Sequence, residues 1–254
     1  MSGLDPETWS RLLRRSPADQ AASALYGPLL VNASATDGCF VLGRIAQSLD
    51  GRIATASGQS RWISGRDDIL HMHRLRALFD AVVIGAGTVR ADDPQLTTRE
   101  VPGPSPARIV IDTNRRLDGS HRVFREGPPT ILCCALDAPG PEQVGAAPVV
   151  RLPRCGAGLA IAAVLATLAA RGLRRVYVEG GGITVSRFLA AGALDRLHVT
   201  VAPLLLGAGI PAFTLPEHAT LAEALRFDWS VHRLGADLLF DIPLDRTRPG
   251  PPPR

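Results

Sequence analysis

Short apolar segments alternate with segments of helical periodicity through most of this 254-residue chain. The apolar runs are CFVLGRIA, AVVIG, ARIVID, TILCCAL, PVVRL, RRVYVEG and RLHVTVAPLLLG, followed by LRFDWSVHRL and ADLLFDIPL. Continuous apolar runs separated by helices are typical of parallel strands that are buried on both faces. The pattern therefore predicts an α/β protein with three layers, in which helices cover both faces of a mostly parallel sheet.

The last two apolar runs are joined through Gly235 with too little chain for a crossover helix. We expect them to pair as an antiparallel C-terminal hairpin, which makes the sheet mixed. Helical periodicity is clearest at about residues 66–79, 157–171 and 184–190. Ser64 is the predicted N-cap of the first of these helices.

The chain divides into three parts by composition. Residues 1–37 contain one predicted short helix, at about residues 7–14, and are otherwise irregular. Residues 38–245 carry the alternating pattern and form the predicted main domain. Residues 246–254 are too rich in proline to fold and form a predicted disordered tail.

The charge of the chain favours small anionic ligands over nucleic acid. All 28 basic residues are arginine, the formal net charge is +4, and the arginines are scattered along the chain. The absence of lysine excludes Schiff-base chemistry and a Walker-type phosphate loop. No apolar run approaches the roughly 18 residues that a membrane span needs, so no membrane partner is expected.

The cysteines and histidines do not predict a metal site. The four cysteines have neither zinc-ligand nor redox-motif spacing, which favours a reduced, cytoplasmic setting. His71 and His73 are two residues apart in a predicted helix, where side chains at that spacing do not face each other.

Two glycine corners follow predicted strands. Gly85 and Gly87 match the first two positions of a G-x-G-x-x-G motif, but Arg90 stands at the third. The second corner, Gly180 to Gly182, lies between a strand and a helix, as a backbone cradle for phosphate requires. The alternative is a tight turn that needs positive φ angles.

Arg76 lies within the apolar arc of the helix predicted at residues 66–79. An inward-facing guanidinium costs several kcal/mol, on the order of a buried unpaired charge, unless an anion meets it. Two alternatives stay open: Arg76 pairs with a structural carboxylate, or it awaits a ligand phosphate.

Several long motifs occur in one order: AQSLDGRIATASGQSRWIS, LRALFDAVVIGAGTVRADDPQLTTR, ARIVIDTNRRL and VYVEGGGITVSRFLAAGALDRLHVTVAPLLLG. In these motifs the chain resembles the reductase domain of the bifunctional riboflavin-biosynthesis deaminase-reductase, a domain related to dihydrofolate reductase. The zinc signature of the deaminase half is absent from the sequence. The chain thus resembles the reductase half standing alone, and the resemblance implies a dihydrofolate reductase-like α/β fold.

The resemblance implies an NADPH-dependent oxidoreductase that acts as a homodimer. The implied reaction reduces the ribosyl group of 5-amino-6-(5-phosphoribosylamino)uracil to the ribitylamino product in riboflavin biosynthesis. Three alternatives stay open: a reductase of the diaminopyrimidinone precursor, a reductase of a pterin or dihydrofolate, and a catalytically silent nucleotide-binding subunit.

The resemblance also implies the site residues. Asp92 and Glu179 are the catalytic candidates. Substrate contacts are implied at Ser60, Arg76, Leu96, Arg99 and Glu179, with Arg44 at a position where the family commonly has lysine. Cofactor contacts are implied at Ala46, Trp62, Thr88, Asp92, Thr113, Gly181, Gly182, Ile183, Thr184, Val185, Ser186 and Arg187. In this assignment the ribose phosphate is the anion that Arg76 and Arg99 bind. Arg115 and Arg116 follow the RIVID strand, where they either hold a 2′-phosphate or belong to a surface turn.

Overall fold

A computed structural model describes residues 4–16, 18–60, 63–217 and 219–246 of the protein. The helices are α1 (Pro6–Leu13), α2 (Gln20–Tyr26), α3 (Arg66–Leu78), α4 (Ala86–Asp92), α5 (Ile161–Ala169) and α6 (Gly182–Ala190). Short 3₁₀ turns occupy Gly27–Leu29 and Arg122–Phe124. Within the described residues, no helix is both long and apolar enough to cross a membrane.

Fourteen strands are present in the part of the chain that the structure describes. They are β1 (Phe40–Ser48), β2 (Arg52–Thr55), β3 (Ala81–Gly85), β4 (Ala107–Ile111), β5 (Thr130–Ala135), β6 (Gln143–Val144), β7 (Ala147–Leu152), β8 (Arg154–Cys155), β9 (Gly158–Leu159), β10 (Arg175–Glu179), β11 (Arg196–Ala202), β12 (Gly209–Pro211), β13 (Ser230–Leu234) and β14 (Asp237–Pro243). Ten of them form one sheet, in the order β13-β14-β11-β1-β10-β3-β4-β5-β7-β6. The pairs β2–β12 and β8–β9 form two small sheets.

The large sheet is parallel from β11 through β7 and antiparallel at its two ends. The predicted mostly parallel mixed sheet is therefore confirmed. The predicted C-terminal hairpin is also confirmed, because β13 pairs with β14 and Leu234 faces Asp237 across the turn. Gly235 occupies that turn with a φ of 65°, a left-handed conformation that favours glycine.

The hydrophobic core follows from the continuous apolar strands. Every residue of β5 is buried, and the same is true of β10. Helix α5 buries Ile161, Val164, Leu165 and Leu168, whose spacing places them on one helix face. Its start is four residues later than predicted, because Gly158 and Leu159 pair with β8 as a strand.

Helix α3 begins one residue later than its predicted cap implies. Its N-cap is Gly65, and no side chain makes the capping hydrogen bond. The prediction of Ser64 as N-cap is therefore wrong. Gly65 is fixed instead by tertiary structure, since its backbone N–H donates to Asp237 Oδ2 at 2.7 Å.

The N-terminal segment contains a helix that the sequence pattern did not predict. Besides α1, the structure has α2 at Gln20–Tyr26, and Asp19 caps it by accepting from the backbone N–H of Ala22. Trp9, Leu25 and Tyr26 are buried in the same core as the sheet. Helix α2 was missed because seven residues are too few to show a helical period.

Candidate active site

The candidate residues lie on the carboxyl edge of adjacent parallel strands. Strands β1, β10, β3 and β4 are neighbours in that order. Arg44 and Ala46 lie on β1, Glu179 ends β10, Gly85 ends β3, and Thr113 follows β4. Open α/β sheets bind ligands at this edge, so the topology brings the predicted cofactor and substrate segments together.

The two glycine corners face each other. A β-carbon on Gly181, whose φ is 71°, would lie 2.7 Å from Thr88 Oγ1. A β-carbon on Gly85 would collide with Thr184 Oγ1. The two strand-to-helix corners therefore pack against each other, and each one requires glycine at its contact point.

Each corner opens a helix that has no side-chain cap. Gly85 is the N-cap of α4 and Gly181 is the N-cap of α6, and neither helix receives a capping hydrogen bond from a side chain. The first backbone N–H groups of a helix have no partner within the helix and favour an anion. The N-terminus of α6 thus suits a diphosphate.

The residues of the predicted cofactor segment in α6 do not all face the same way. Ile183 is exposed, whereas Val185 is fully buried in the core. The Ser186 hydroxyl accepts from the backbone N–H of Thr214 at 2.8 Å. Arg187 donates to the carbonyl of Ala157 at 3.3 Å. The start of α6 is therefore the part of the segment that is free to meet a ligand.

Arg76 and Glu179 form a buried ion pair. Arg76 Nε donates to Glu179 Oε2 at 2.7 Å, and Nη2 donates to Oε1. Arg76 Nη1 donates to the carbonyl of Thr97 at 3.0 Å. Of the two alternatives that the sequence left open, the carboxylate partner is the one that the structure contains. The role of Arg76 as a phosphate ligand stays a prediction.

Arg44 belongs to a second buried pair. Its Nη2 donates to Asp68 Oδ2, while Thr200 Oγ1 donates to Asp68 Oδ1 at 2.8 Å. Burial alone would raise the pKa of Asp68, but Arg44, Ser64 and Thr200 lower it below its usual value. Arg44 and Glu179 are also direct neighbours across strands β1 and β10. The two ion pairs therefore lie side by side beneath the glycine corner.

Arg99 lies at the open side of this cluster. Its backbone N–H donates to His73 Nδ1 at 3.3 Å, and its exposed guanidinium makes no hydrogen bond or ion pair with the residues that the structure describes. Burial lowers the pKa of His73 to about 4, with Arg76 and Arg99 acting in the same direction. A neutral His73 can accept through Nδ1.

Leu96 precedes this segment in a left-handed conformation, with a φ of 55°. A non-glycine residue rarely adopts this region, and such strain occurs often at functional sites. The residue is only 1% exposed, so its side chain belongs to the core. The predicted substrate contact at Leu96 stays a prediction.

One hydrogen bond connects Ser60 and Asp92. Ser60 Oγ donates to Asp92 Oδ1 at 3.3 Å, which brings together a predicted substrate contact and a predicted catalytic residue. Asp92 ends α4 and is exposed. The predicted contact Trp62 lies outside the described residues.

Arg115 and Arg116 differ in their surroundings. Arg115 has a φ of 54° and donates through Nη1 to the carbonyl of Pro141 at 2.8 Å, which fits the surface-turn alternative. Arg116 is exposed beyond the end of β4. Thr113, just before them, is buried, and its carbonyl accepts from the backbone N–H of Ala135.

Sequence reasoning missed four polar residues of this site: Asp68, His73, Tyr177 and Thr200. The Tyr177 hydroxyl is buried near both ion pairs and has no hydrogen-bond partner among the described residues. Burial raises its pKa well above the ordinary value, and Glu179 adds to the effect. The strand alternation offered a signal, since Tyr177 lies two residues before Glu179 and so shares its face of β10.

The described residues contain no group of three or more histidine, cysteine or acidic side chains able to hold a metal ion.

Comparison with known proteins gives a consistent result. Residues 40–239 match the RibD C-terminal domain. A 2,5-diamino-6-ribosylamino-4(3H)-pyrimidinone 5′-phosphate reductase from Methanothermobacter thermautotrophicus is 35% identical over 213 residues, which cover 80% of this chain and 96% of that protein. The riboflavin biosynthesis protein RibD of Mycobacterium tuberculosis is 34% identical over 207 residues.

Solved structures of RibD agree with these matches. Acinetobacter baumannii RibD superimposes with a TM-score of 0.75 at 27% identity, covering 88% of this chain and 63% of that one. The chain spans about half the length of the Mycobacterium tuberculosis protein, 53%. It spans nearly the whole length of the archaeal reductase.

Proposed function

The chain belongs to the RibD C-terminal domain family, and from this premise we propose that it is an NADPH-dependent reductase of a phosphoribosylaminopyrimidine in riboflavin biosynthesis. The observation that carries the proposal is the meeting of two uncapped helix N-termini with a buried arginine–glutamate pair at one sheet edge. The first feature suits a dinucleotide, and the second places a polar, charged pair at the same edge of the sheet.

The residues present fit a dinucleotide. A β-carbon on Gly180 would meet nothing within 4 Å, which leaves open space where the chain turns into α6, and the amides that begin α6 suit the diphosphate. Thr88 and Asp92 lie on α4, the helix that follows the neighbouring corner, and we place the nicotinamide beside them. When bound, reduced nicotinamide supplies a hydride, which we assign to the former anomeric carbon of the opened ribosyl group. Arg116 is exposed beyond β4 and makes no hydrogen bond or ion pair with the described residues, which suits a 2′-phosphate and hence NADPH.

The substrate half is built around Arg99. Its exposed guanidinium is available for the ribose phosphate, with which arginine forms bidentate hydrogen bonds. Arg76 holds the backbone carbonyl of Thr97, two residues before Arg99, and so fixes the segment that carries the phosphate ligand. The main task of these side chains is to hold two anions in a defined relative position.

Asp92 and Glu179 have different roles in this proposal. Glu179 uses both carboxylate oxygens on Arg76, so it acts as an acceptor that orients neighbouring groups. Asp92 is exposed and bound only by Ser60 among the described residues, so it is the group placed to deliver the proton. The substitution D92N is expected to lower turnover far more than NADPH affinity. An equal loss in both would make Asp92 a binding residue.

Two phosphoribosylaminopyrimidines are the candidate substrates. The first is 5-amino-6-(5-phosphoribosylamino)uracil. The second is its diaminopyrimidinone counterpart, which the name of the archaeal relative favours. The test measures NADPH oxidation by the purified protein with each of these compounds and with dihydrofolate. Turnover of either phosphoribosyl compound and not of dihydrofolate supports the proposal. Turnover of dihydrofolate alone, or of none, contradicts it.

We also propose that the protein is a homodimer formed through the β13 edge of the sheet. Val231 is 49% exposed and Leu238 is 37% exposed. Beside them lies a groove of about 320 Å³ lined by Leu189, Leu197, Val199, Phe213, Leu215, Leu225, Phe227 and Ile242. These exposed apolar side chains of β13 and β14, together with the groove, form a face that favours contact with a second copy. Light scattering should give twice the chain mass, and V231D should give the single mass.

We place the protein in the cytoplasm. The support is the state of its cysteines: all four are free thiols, and Cys39, Cys133 and Cys134 are buried. Structural disulfides are rare in that reducing compartment. Localisation of a tagged full-length protein by fractionation tests this assignment, and recovery with the cell envelope contradicts it.

A further inference from the structure

One hydrogen bond connects the N-terminal segment to the loop that carries Arg99, the proposed ligand of the substrate phosphate. The indole Nε1–H of Trp9, on α1, donates to the carbonyl of Pro102 at 2.7 Å. Trp9 is 5% exposed, whereas Pro102 is exposed, so the bond is buried on the side of α1 only. Pro102 lies three residues after Arg99 in the same loop. The helix α1 therefore holds the loop that carries the proposed phosphate ligand.

Packing reinforces this bond. Gly103, with a φ of 142°, lies so close to α3 and α1 that a β-carbon there would be 2.7 Å from Ala77 Cβ and 3.4 Å from Leu13 Cδ2. Within the loop, the backbone N–H of Thr98 donates to Ser105 Oγ at 3.0 Å. The loop is thus enclosed between the N-terminal segment on one side and α3 on the other.

A second connection joins α2 to α3 by a chain of buried hydrogen bonds. Tyr26 Oη lies 3.0 Å from His71 Nδ1, and His71 Nε2 lies 3.1 Å from His198 Nδ1. His198 Nε2 lies 3.2 Å from Asp241 Oδ1. Burial lowers the pKa of both histidines, so each ring is neutral and carries one proton.

The 3.2 Å contact between His198 Nε2 and Asp241 favours one arrangement of protons. Asp241 is an acceptor: burial alone would raise its pKa, but hydrogen bonds from His198 and Arg196 lower it. With the proton of His198 on Nε2, facing Asp241, His71 donates through Nε2 to His198, and Tyr26 donates its O–H to His71. This directional chain fixes α2 against α3, the helix that carries Arg76 and His73.

We infer that residues 4–16 and 18–30 form the outer wall of the substrate half of the cleft, and that Trp9 and Tyr26 are positioning residues for Arg99. These residues precede the matched family region, which begins at residue 40. They touch neither the glycine corners nor any proposed cofactor residue in the described contacts. The inference rests on the proposed function in one respect only, namely that Arg99 binds the phosphate of the substrate.

The kinetic test uses W9F, which keeps an aromatic ring and removes the N–H donor. The KM for the phosphorylated substrate should rise at least fivefold, while kcat and the KM for NADPH stay within twofold. With the dephosphorylated substrate, W9F and the native protein should have equal KM values. R11A removes an exposed arginine of the same helix, which pairs with exposed Glu7, and this control should change none of these values. Equal losses with both substrates, or a fall confined to kcat, would overturn the inference.

The second test needs no substrate. Hydrogen–deuterium exchange of the full chain should show faster exchange of the Thr98 and Arg99 amides in W9F, with unchanged exchange in α6. If W9F does not fold, Y26F tests the same wall, because it removes the hydroxyl that binds His71. Unchanged loop exchange in a folded variant refutes the wall. If W9F shows faster loop exchange but the native protein has no reductase activity, the proposed function is refuted and the wall is not.

Discussion

Arg76 Nε lies 2.7 Å from Glu179 Oε2, and the two residues are only 4% and 8% exposed. The buried charge of Arg76 is tolerated because its counter-ion, Glu179, is buried beside it. Arg76 also holds the carbonyl of Thr97, so the pair connects the end of β10 to the loop that carries Arg99.

The substitution E179Q should therefore be strongly destabilising. It leaves the buried Arg76 charge without a counter-ion and places an amide N–H₂ where the guanidinium needs an acceptor. The expected loss in the free energy of unfolding is about 3–5 kcal/mol, the usual cost of removing one partner of a buried pair. Urea titration followed by circular dichroism measures it.

The double variant R76M/E179L separates stability from activity. Replacing both charges by apolar side chains of similar volume is often neutral or stabilising, so most of the lost free energy of unfolding should return. Reductase activity should not return. A double variant as unstable as E179Q would show that the pair stabilises the fold by more than mutual neutralisation.

The substitution G181A tests the cofactor corner. Alanine at a φ of 71° costs about 1–2 kcal/mol, and its β-carbon would lie 2.7 Å from Thr88 Oγ1. We expect a matching loss of stability and at least a tenfold rise in the Kd for NADPH, measured by fluorescence titration. Gly172 is the matched control, because it has a φ of 78° and no neighbour within 4 Å of an added β-carbon. G172A should lose stability without losing NADPH affinity.

The substitution R99A should weaken binding of the phosphorylated substrate alone. A hydrogen bond to a charged group contributes about 1.5–3 kcal/mol, so the KM should rise by roughly tenfold or more. The KM for NADPH should not change, and the KM for a dephosphorylated substrate should match that of the native protein. R171A removes an exposed arginine at the end of α5 and serves as the control. A rise in KM with both substrates would remove Arg99 from the phosphate site.

His73 should make the protein less stable in mild acid. Its pKa in the folded protein is about 4, below the ordinary 6.5, because of burial and the nearby Arg76 and Arg99. Between these two values the unfolded chain binds a proton that the folded protein excludes, so stability falls as the pH drops from about 6.5 to 4. In H73N the amide oxygen can replace Nδ1 as acceptor, and the variant does not titrate. Its unfolding free energy should depend less on pH in this window, measured by denaturant titration at each pH. An unchanged slope would contradict the assignment.

The sheet and its glycine corners were accessible from sequence because their signals are local. Each buried strand is a continuous apolar run, and the hairpin at Gly235 leaves no room for a crossover helix. The corner at Gly181 has the positive φ that a run of glycines permits.

The partners of buried charges were not accessible, because they are distant in sequence. Arg76 meets a carboxylate 103 residues later, and Arg44 meets Asp68 on a different element. Nothing in the helical period of α3 distinguishes an arginine that awaits a ligand from one that is already paired. The same reason hid the role of Trp9, whose acceptor is a backbone carbonyl 93 residues away.

Strand β1 lies near the middle of the sheet, yet both of the strands that pair with it come much later in the sequence. It pairs with β10 on one side and β11 on the other, so Arg44 faces Glu179 and His198. During synthesis on the ribosome, this apolar strand stays without its partners until most of the chain has emerged. Long-range parallel pairing is slow and leaves strand edges open to aggregation. Production of the native protein should therefore depend on chaperone capacity and benefit from slow translation at low temperature.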